Sequence, residues 1–159
     1  MNELILDGKK YKLSPELVEK IKSEVAAQEK AENPFERNIG ELYYFVDSAG
    51  GVFSFTDYKS GTADALYSAG NYCRDKAVME QRALHETLNR LLWRYSETHG
   101  GCEELGGFFI YQSSSGDMYV GHCTYAGCGD VYFKTRAAAV AAIDDVVNPF
   151  MAEHPEFVW

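Results

Sequence analysis

A chain of 159 residues with 46% hydrophobic, 14% aromatic and 25% charged content can bury one core or two very small ones, and its composition excludes collagen-like and disordered classes. Lys and Arg number 15 against 24 Asp and Glu, a formal net charge of -9. That excludes a broadly basic surface for non-specific duplex DNA or anionic membranes, while a local basic patch survives the arithmetic.

The opening Met1 to Asp7 lacks a basic n-region, an apolar h-region and a small-residue cleavage site, so a cytoplasmic protein with no membrane contact is expected. Cys73, Cys102, Cys123 and Cys128 are then expected to stay reduced. Leu4 to Leu13 reads as a hairpin about Asp7-Gly8, a preferred two-residue turn. Ser14 as N-cap, Pro15 in the first turn, and Leu17, Ile21 and Val25 at four-residue intervals predict an amphipathic helix to about residues 28–31, closed by Asn33-Pro34. Residues 1–40 thus form a hairpin-helix extension to a domain spanning 41–159.

Strand texture begins at Glu41, with Leu42 to Val46, the turn Asp47 to Gly51, and Val52 to Thr56. Asp57 to Asn71 is polar, with at most a short element at Ala65-Leu66-Tyr67. Asp75 caps the longest helix, Lys76 to about His99, stopped by Gly100-Gly101. Phe108 to Gln112, the turn Ser113 to Asp117 and Met118 to Tyr125 form a further hairpin. Val131 to Phe133 follows, and Thr135 caps an alanine-rich helix to about Val147, where Asn148-Pro149 must end or kink it. The apolar tail Phe150, Phe157, Val158 and Trp159 is expected to dock on the body or on a partner.

Asn71 to Lys76 aligns with Val131 to Arg136 at a constant offset, since 135 - 75 = 60. Both segments lead from a hairpin through an aromatic tripeptide and a basic residue into a capped helix. The expected fold is α+β, antiparallel hairpins packed by helices, with either a duplicated β-β-(β)-α unit over 41–100 and 101–159 or two ordinary hairpin-helix units.

Asn71-Tyr-Cys-Arg-Asp-Lys to Trp93-Arg94, the ending Asn148 to Trp159, Asn33-Pro-Phe-Glu-Arg and Glu41-Leu-Tyr-Tyr-Phe together resemble a family of small proteins carried by prophages and other mobile elements of gut Firmicutes. The family carries no reaction, cofactor or catalytic residue across. The resemblance implies a genomic context in which small accessory proteins inhibit host systems, anti-CRISPR proteins among them.

On the central helix, Gln81 and His85 fall on or beside an apolar stripe of Ala77, Leu84, Leu88, Leu91, Leu92 and Tyr95. They form either a polar pocket for a ligand or partner, or a core pair hydrogen-bonded to the sheet. Arg82, Arg90 and Arg94, with Arg74 and Lys76 at the helix start, make the one concentrated basic face; it is either a phosphate- or acid-binding surface or a solvated face offset by Glu80 and Glu86. His99, Cys102, His122, Cys123 and Cys128 are ligand types zinc accepts, but without Cys-x2-Cys spacing they read as scattered buried thiols and imidazoles, and no metal is expected. No serine-hydrolase elbow, phosphate-binding loop or zinc-protease motif occurs.

Residues 101–159 hold two basic and eight acidic side chains, so the acidity belongs to the C-terminal third. The expected function is a non-enzymatic inhibitor of a host defence nuclease such as Cas9. Asp117, Asp130, Asp144 and Asp145 would stand in for phosphates, and Tyr111, Tyr119 and Tyr125 would anchor the contact. No cofactor is implied, direct DNA binding is not expected, and a homodimer is compatible. A protein that sequesters a nucleotide second messenger, or a nucleic-acid-binding regulator using the basic helix face, are the alternatives.

Overall fold

A computed structural model describes residues 3–6, 9–12, 14–20, 33–101, 106–125 and 131–159. The chain divides into two compact units, Met1–Arg37 and Asn38–Trp159. In the first, β1 (Glu3–Leu6) pairs antiparallel with β2 (Lys9–Lys12), and Leu6 stands opposite Lys9, the register that a two-residue connection requires. Ser14 Oγ accepts the Leu17 N–H at 3.2 Å and starts α1, helical over residues 15–20. The expected continuation to residues 28–31 lies outside the described residues.

The second unit runs β3 (Leu42–Val46), β4 (Val52–Thr56), α2 (Gly61–Ser68), α3 (Lys76–Thr98), β5 (Gly107–Gln112), β6 (Met118–Cys123), α4 (Arg136–Ala142), a π-helical turn (Ile143–Val147) and α5 (Asn148–Glu153). The fold is α+β, and its strands form separate two-stranded antiparallel sheets. Side chains alternate across β3. Tyr43 and Phe45 pack with Ala63 and Leu66 of α2 and with Tyr72, whereas Tyr44 and Val46 pack with Cys73 and with Met79 and Ala83 of α3. Strand β3 is thus covered on both faces.

The two hairpin-helix units repeat each other bond for bond at their turns. Asp47 N–H donates to Gly51 C=O at 2.9 Å and Gly50 N–H to Asp47 C=O at 3.1 Å; Ser113 donates to Asp117 at 2.9 Å and Gly116 to Ser113 at 3.0 Å. Gly50 and Gly116 sit at φ 93° and 92°, the left-handed geometry that this bulged turn demands. Each first strand then gains one isolated bridge from the segment before the next helix, Tyr44 with Cys73 and Phe108 with Phe133. Each helix is side-chain capped, by Asp75 from Ala77 and Val78 and by Thr135 from Ala138. Cys73 and Phe133 are both fully buried, as are Met79 and Ala139 four residues after the caps.

Helix α3 joins the two hairpin-helix halves of Asn38–Trp159. Its first half buries Met79 and Ala83 under the first hairpin, and its second half puts Leu88 and Leu92 into the largest core with Val120, Phe133, Ala139, Ala142, Val147, Phe150 and Phe157. Ala77, assigned to the apolar stripe by periodicity alone, is exposed, because the helix changes neighbours along its length.

Two segments differ from expectation. Residues 57–71 hold the complete helix α2, started by Ser60 Oγ accepting the Ala63 N–H at 3.2 Å. Its Ala63, Leu66 and Tyr67 pack on Tyr43 and Tyr72, so burial stabilises a stretch with weak local signal. At Pro149 the chain does not stop: the backbone widens into the π turn over 143–147, Asn148 N–H reaches Ile143 C=O, and Pro149 lies in the first turn of α5, where a missing N–H costs nothing.

Candidate functional site

Gln81 and His85 do not frame an empty polar pocket together. The Gln81 side chain donates through Nε2 to Glu156 C=O at 2.7 Å and accepts the Val158 N–H on Oε1 at 3.0 Å. One carboxamide thereby brackets Phe157, whose ring lies 4.8 Å from the His85 imidazole and is 7% exposed. The expected docking of the tail on the body is met by this pair, and Gln81 bonds to the tail rather than to a sheet.

The basic face of α3 is extensively paired. Arg82 Nε meets Glu86 at 2.8 Å, and its Nη1 donates to Gly70 C=O. Arg90 meets the other oxygen of Glu86 at 3.3 Å and donates to Ser48 C=O at 3.1 Å. Lys76 pairs with Glu80, and Arg74 with Glu41, each at 2.9 Å. These contacts bind α3 to the turns at 48 and 70 as well as to its own carboxylates. Arg94 is exposed beside a shallow cleft that it lines with Tyr95, Asp145 and Glu153.

The acidic residues behave differently. Asp117 accepts from Ser115 Oγ at 2.8 Å, Asp144 from Asn148 Nδ2 at 3.3 Å and Asp145 from Tyr95 Oη at 2.7 Å. All three are exposed, and every one of these donors is neutral. Asp145 holds the Tyr95 hydroxyl above its ordinary value near 10.0, chiefly through that hydrogen bond. Asp130 lies outside the described residues.

Tyr111 and Tyr119 face each other across β5 and β6 with ring centroids 5.9 Å apart and are 42% and 48% exposed; Tyr125 is 77% exposed. Sequence reasoning missed a second aromatic surface, Phe53 and Phe55 of β4, 51% and 59% exposed beside Phe45. Alternation in Val52 to Thr56 placed them on one face, but only the tertiary fold shows that α2 covers Tyr43 and leaves these two open.

The metal-ligand types stand in unrelated settings. His99 stacks on Tyr95 at 3.9 Å, His122 meets the Phe108 ring edge at 4.9 Å, and Cys123 Sγ donates to Tyr125 C=O at 2.9 Å. Cys102 and Cys128 lie outside the described residues. Among the described residues no group of three or more His, Cys, Asp or Glu could hold an ion.

A cavity of about 630 Å³ opens between α3, strand β5, residues 131–133 and the tail, with His85, Phe109, Tyr111, Tyr125, Tyr132 and Trp159 among its walls. Gly121, opposite Phe109, makes room for that ring: a β-carbon at 121 would lie 2.6 Å from it. No Lys, Arg, Asp or Glu side chain is among the described lining residues.

Comparisons with protein-family models, curated proteins and solved structures find no match. Among the described residues no helix is long and apolar enough to cross a membrane.

Proposed function

We propose that the chain is a non-catalytic binding protein that covers a cation-lined surface of a partner macromolecule. In the context that the resemblance implies, the partner is a host defence nuclease such as Cas9. The observation that carries this reading is the asymmetry of charge pairing. Among the described residues, Arg74, Lys76, Arg82 and Arg90 meet carboxylates, while Asp117, Asp144 and Asp145 accept from neutral donors.

Carboxylates that form no ion pair with a described cation project their field at the surface, which accelerates encounter with an Arg/Lys-lined groove and excludes its nucleic acid. Tyr111, Tyr119 and Tyr125 supply rigid aromatic area for such a contact. A nucleic-acid-binding role through α3 is disfavoured by the pairing of Lys76, Arg82 and Arg90 with carboxylates. A nucleotide messenger is disfavoured because no Lys or Arg side chain is among the described residues around the cavity.

Titration of purified guide-loaded Cas9 at rising salt tests the proposal. Affinity is expected to fall as salt rises, and Asp144→Asn with Asp145→Asn is expected to weaken binding about tenfold and to flatten the salt slope. Absence of binding overturns the nuclease assignment, and binding indifferent to both substitutions overturns the acidic face.

A further inference from the structure

One divergence between the two hairpin-helix units lies on the outer edge of the first strand. On the outer edge of β3, Tyr44 exchanges backbone bonds with Cys73 at 2.7 and 3.0 Å. The next residue on that edge, Val46, donates its N–H to Asn71 Oδ1 at 2.9 Å and accepts from Asn71 Nδ2 at 2.7 Å. A carboxamide thus completes the edge where the bridging strand has ended.

On β5, Phe108 exchanges the matching bonds with Phe133 at 2.9 and 2.7 Å. The next residue on that edge is Ile110, and the residue standing where Asn71 stands is Val131, which has no polar side-chain atom. Ser113 pairs with Asp117 across the turn and Phe108 bonds away from β6, so alternation directs the Ile110 N–H and C=O outward as well. Among the described residues neither group meets a partner.

A second exchange makes room beside it. Tyr43 stacks on Tyr72 at 4.5 Å in the first hairpin-helix unit, whereas the counterpart of Tyr43, next to Phe108, is Gly107, and Tyr132 meets Phe109 edge-on at 6.2 Å instead. In the first hairpin-helix unit α2 lies over Tyr43. Ile110 and Tyr132 both line the 630 Å³ cavity, a volume within the range that small ligands occupy.

We propose that this cavity binds a neutral, planar small molecule bearing a carboxamide or lactam, whose adjacent N–H and C=O take on Ile110 the place that Asn71 takes on Val46. Aromatic walls supply stacking area, and a described lining without Lys, Arg, Asp or Glu side chains disfavours phosphorylated or carboxylate ligands, which would be desolvated there without a salt-bridge partner. The proposal is independent of the acidic surface, and either can fail alone.

Benzamide and its carboxylate isostere benzoate are suitable probes, with the Ile110 amide resonance of the whole chain as readout. Fragments of this size bind at about 1–10 mM. Benzamide is expected to shift the Ile110 amide saturably, and benzoate to leave it in place. Val131→Asn, which supplies internally the carboxamide found in the first unit, is expected to weaken benzamide binding at least about tenfold, while Val131→Ala retains it. Should Val131→Asn not fold, the benzamide–benzoate contrast in the unsubstituted chain decides. Equal response to both probes, no response at about 10 mM, full binding by folded Val131→Asn, or an Ile110 shift produced only by an extended peptide would each overturn the proposal.

Discussion

Gln81 accepts the N–H of Val158 at 3.0 Å across 77 positions of sequence. The same side chain donates to Glu156 C=O, so a single helix residue fixes the backbone on both sides of Phe157. Replacing Gln81 by Leu keeps the volume and removes both bonds; the expected cost is about 1–2 kcal/mol. Urea unfolding measures it, and faster hydrogen exchange at the Val158 amide would localise it to the tail. An unchanged Val158 amide would show that the tail is held by packing alone.

Phe157 itself contributes more. Its ring meets Phe150 at 5.4 Å and Trp159 at 6.3 Å inside the largest core. Phe157→Ala is therefore expected to destabilise by about 3–5 kcal/mol, the usual cost of deleting a buried aromatic ring. Thermal unfolding at neutral pH checks this, with a loss below about 1 kcal/mol contradicting the docked tail.

The two caps offer a matched comparison. Asp75 accepts from Ala77 and Val78 at 2.8 and 3.3 Å, and Thr135 from Ala138 at 3.1 Å. Alanine at either position is expected to cost about 0.5–2 kcal/mol. Asp75→Ala should be the larger loss, because a carboxylate also meets the positive end of the helix dipole. Equal stabilities of the two variants would remove the electrostatic part of that argument.

Acid and alkali act on different joints. The Asn38 side chain first, and the Arg74 guanidinium next, hold Glu41 below its ordinary value of 4.5. The contribution of Glu41 is thus complete above that value and disappears as pH falls through the lowered one. Tyr95 is shifted upward by donating to Asp145, so its contribution is complete below 10.0 and disappears as pH rises through the raised value. Asp145→Asn should return the Tyr95 titration toward its ordinary value in ultraviolet difference spectra; an unmoved titration would contradict the bond.

Asp57 shows how a polar residue can be misjudged from sequence. It sits in a polar stretch with a turn-like composition, yet it is completely buried, accepting from Lys59 N–H at 2.8 Å and from Tyr72 Oη at 3.3 Å. Asp57→Ala, which strands those donors, is expected to cost about 1–3 kcal/mol. Differential scanning calorimetry of this variant beside Tyr72→Phe would separate loss of the carboxylate from loss of the hydroxyl bond.

Strands, turns and caps were legible because each depends on residues a few positions apart. Gly50 and Gly116 announce bulged turns through the backbone conformation they alone tolerate, and Ser14, Asp75 and Thr135 announce helix starts through a side chain that satisfies the next free N–H groups. The constant offset between Asn71 to Lys76 and Val131 to Arg136 already paired the two units. Helix α2 escaped notice because its stability comes from burial against Tyr43 and Tyr72, distant in sequence.

Partner choice was not legible. Periodicity set Gln81 and His85 beside an apolar stripe, but whether they faced a ligand, a sheet or the tail depended on where Phe157 found cover. Arg82 and Arg90 formed a basic row in one dimension, and three dimensions set Glu86, Gly70 and Ser48 against them. Likewise, Val131 in place of Asn71 is one of five differences between the aligned hexapeptides, and only the strand's alternation turns it into an open edge at Ile110. The sequence alone determined which local units form and where the charge lies, since those are sums over neighbours. Which polar groups are satisfied internally and which face outward was decided by tertiary structure, because a hydrogen bond needs its partner within about 3 Å, whatever the distance along the chain.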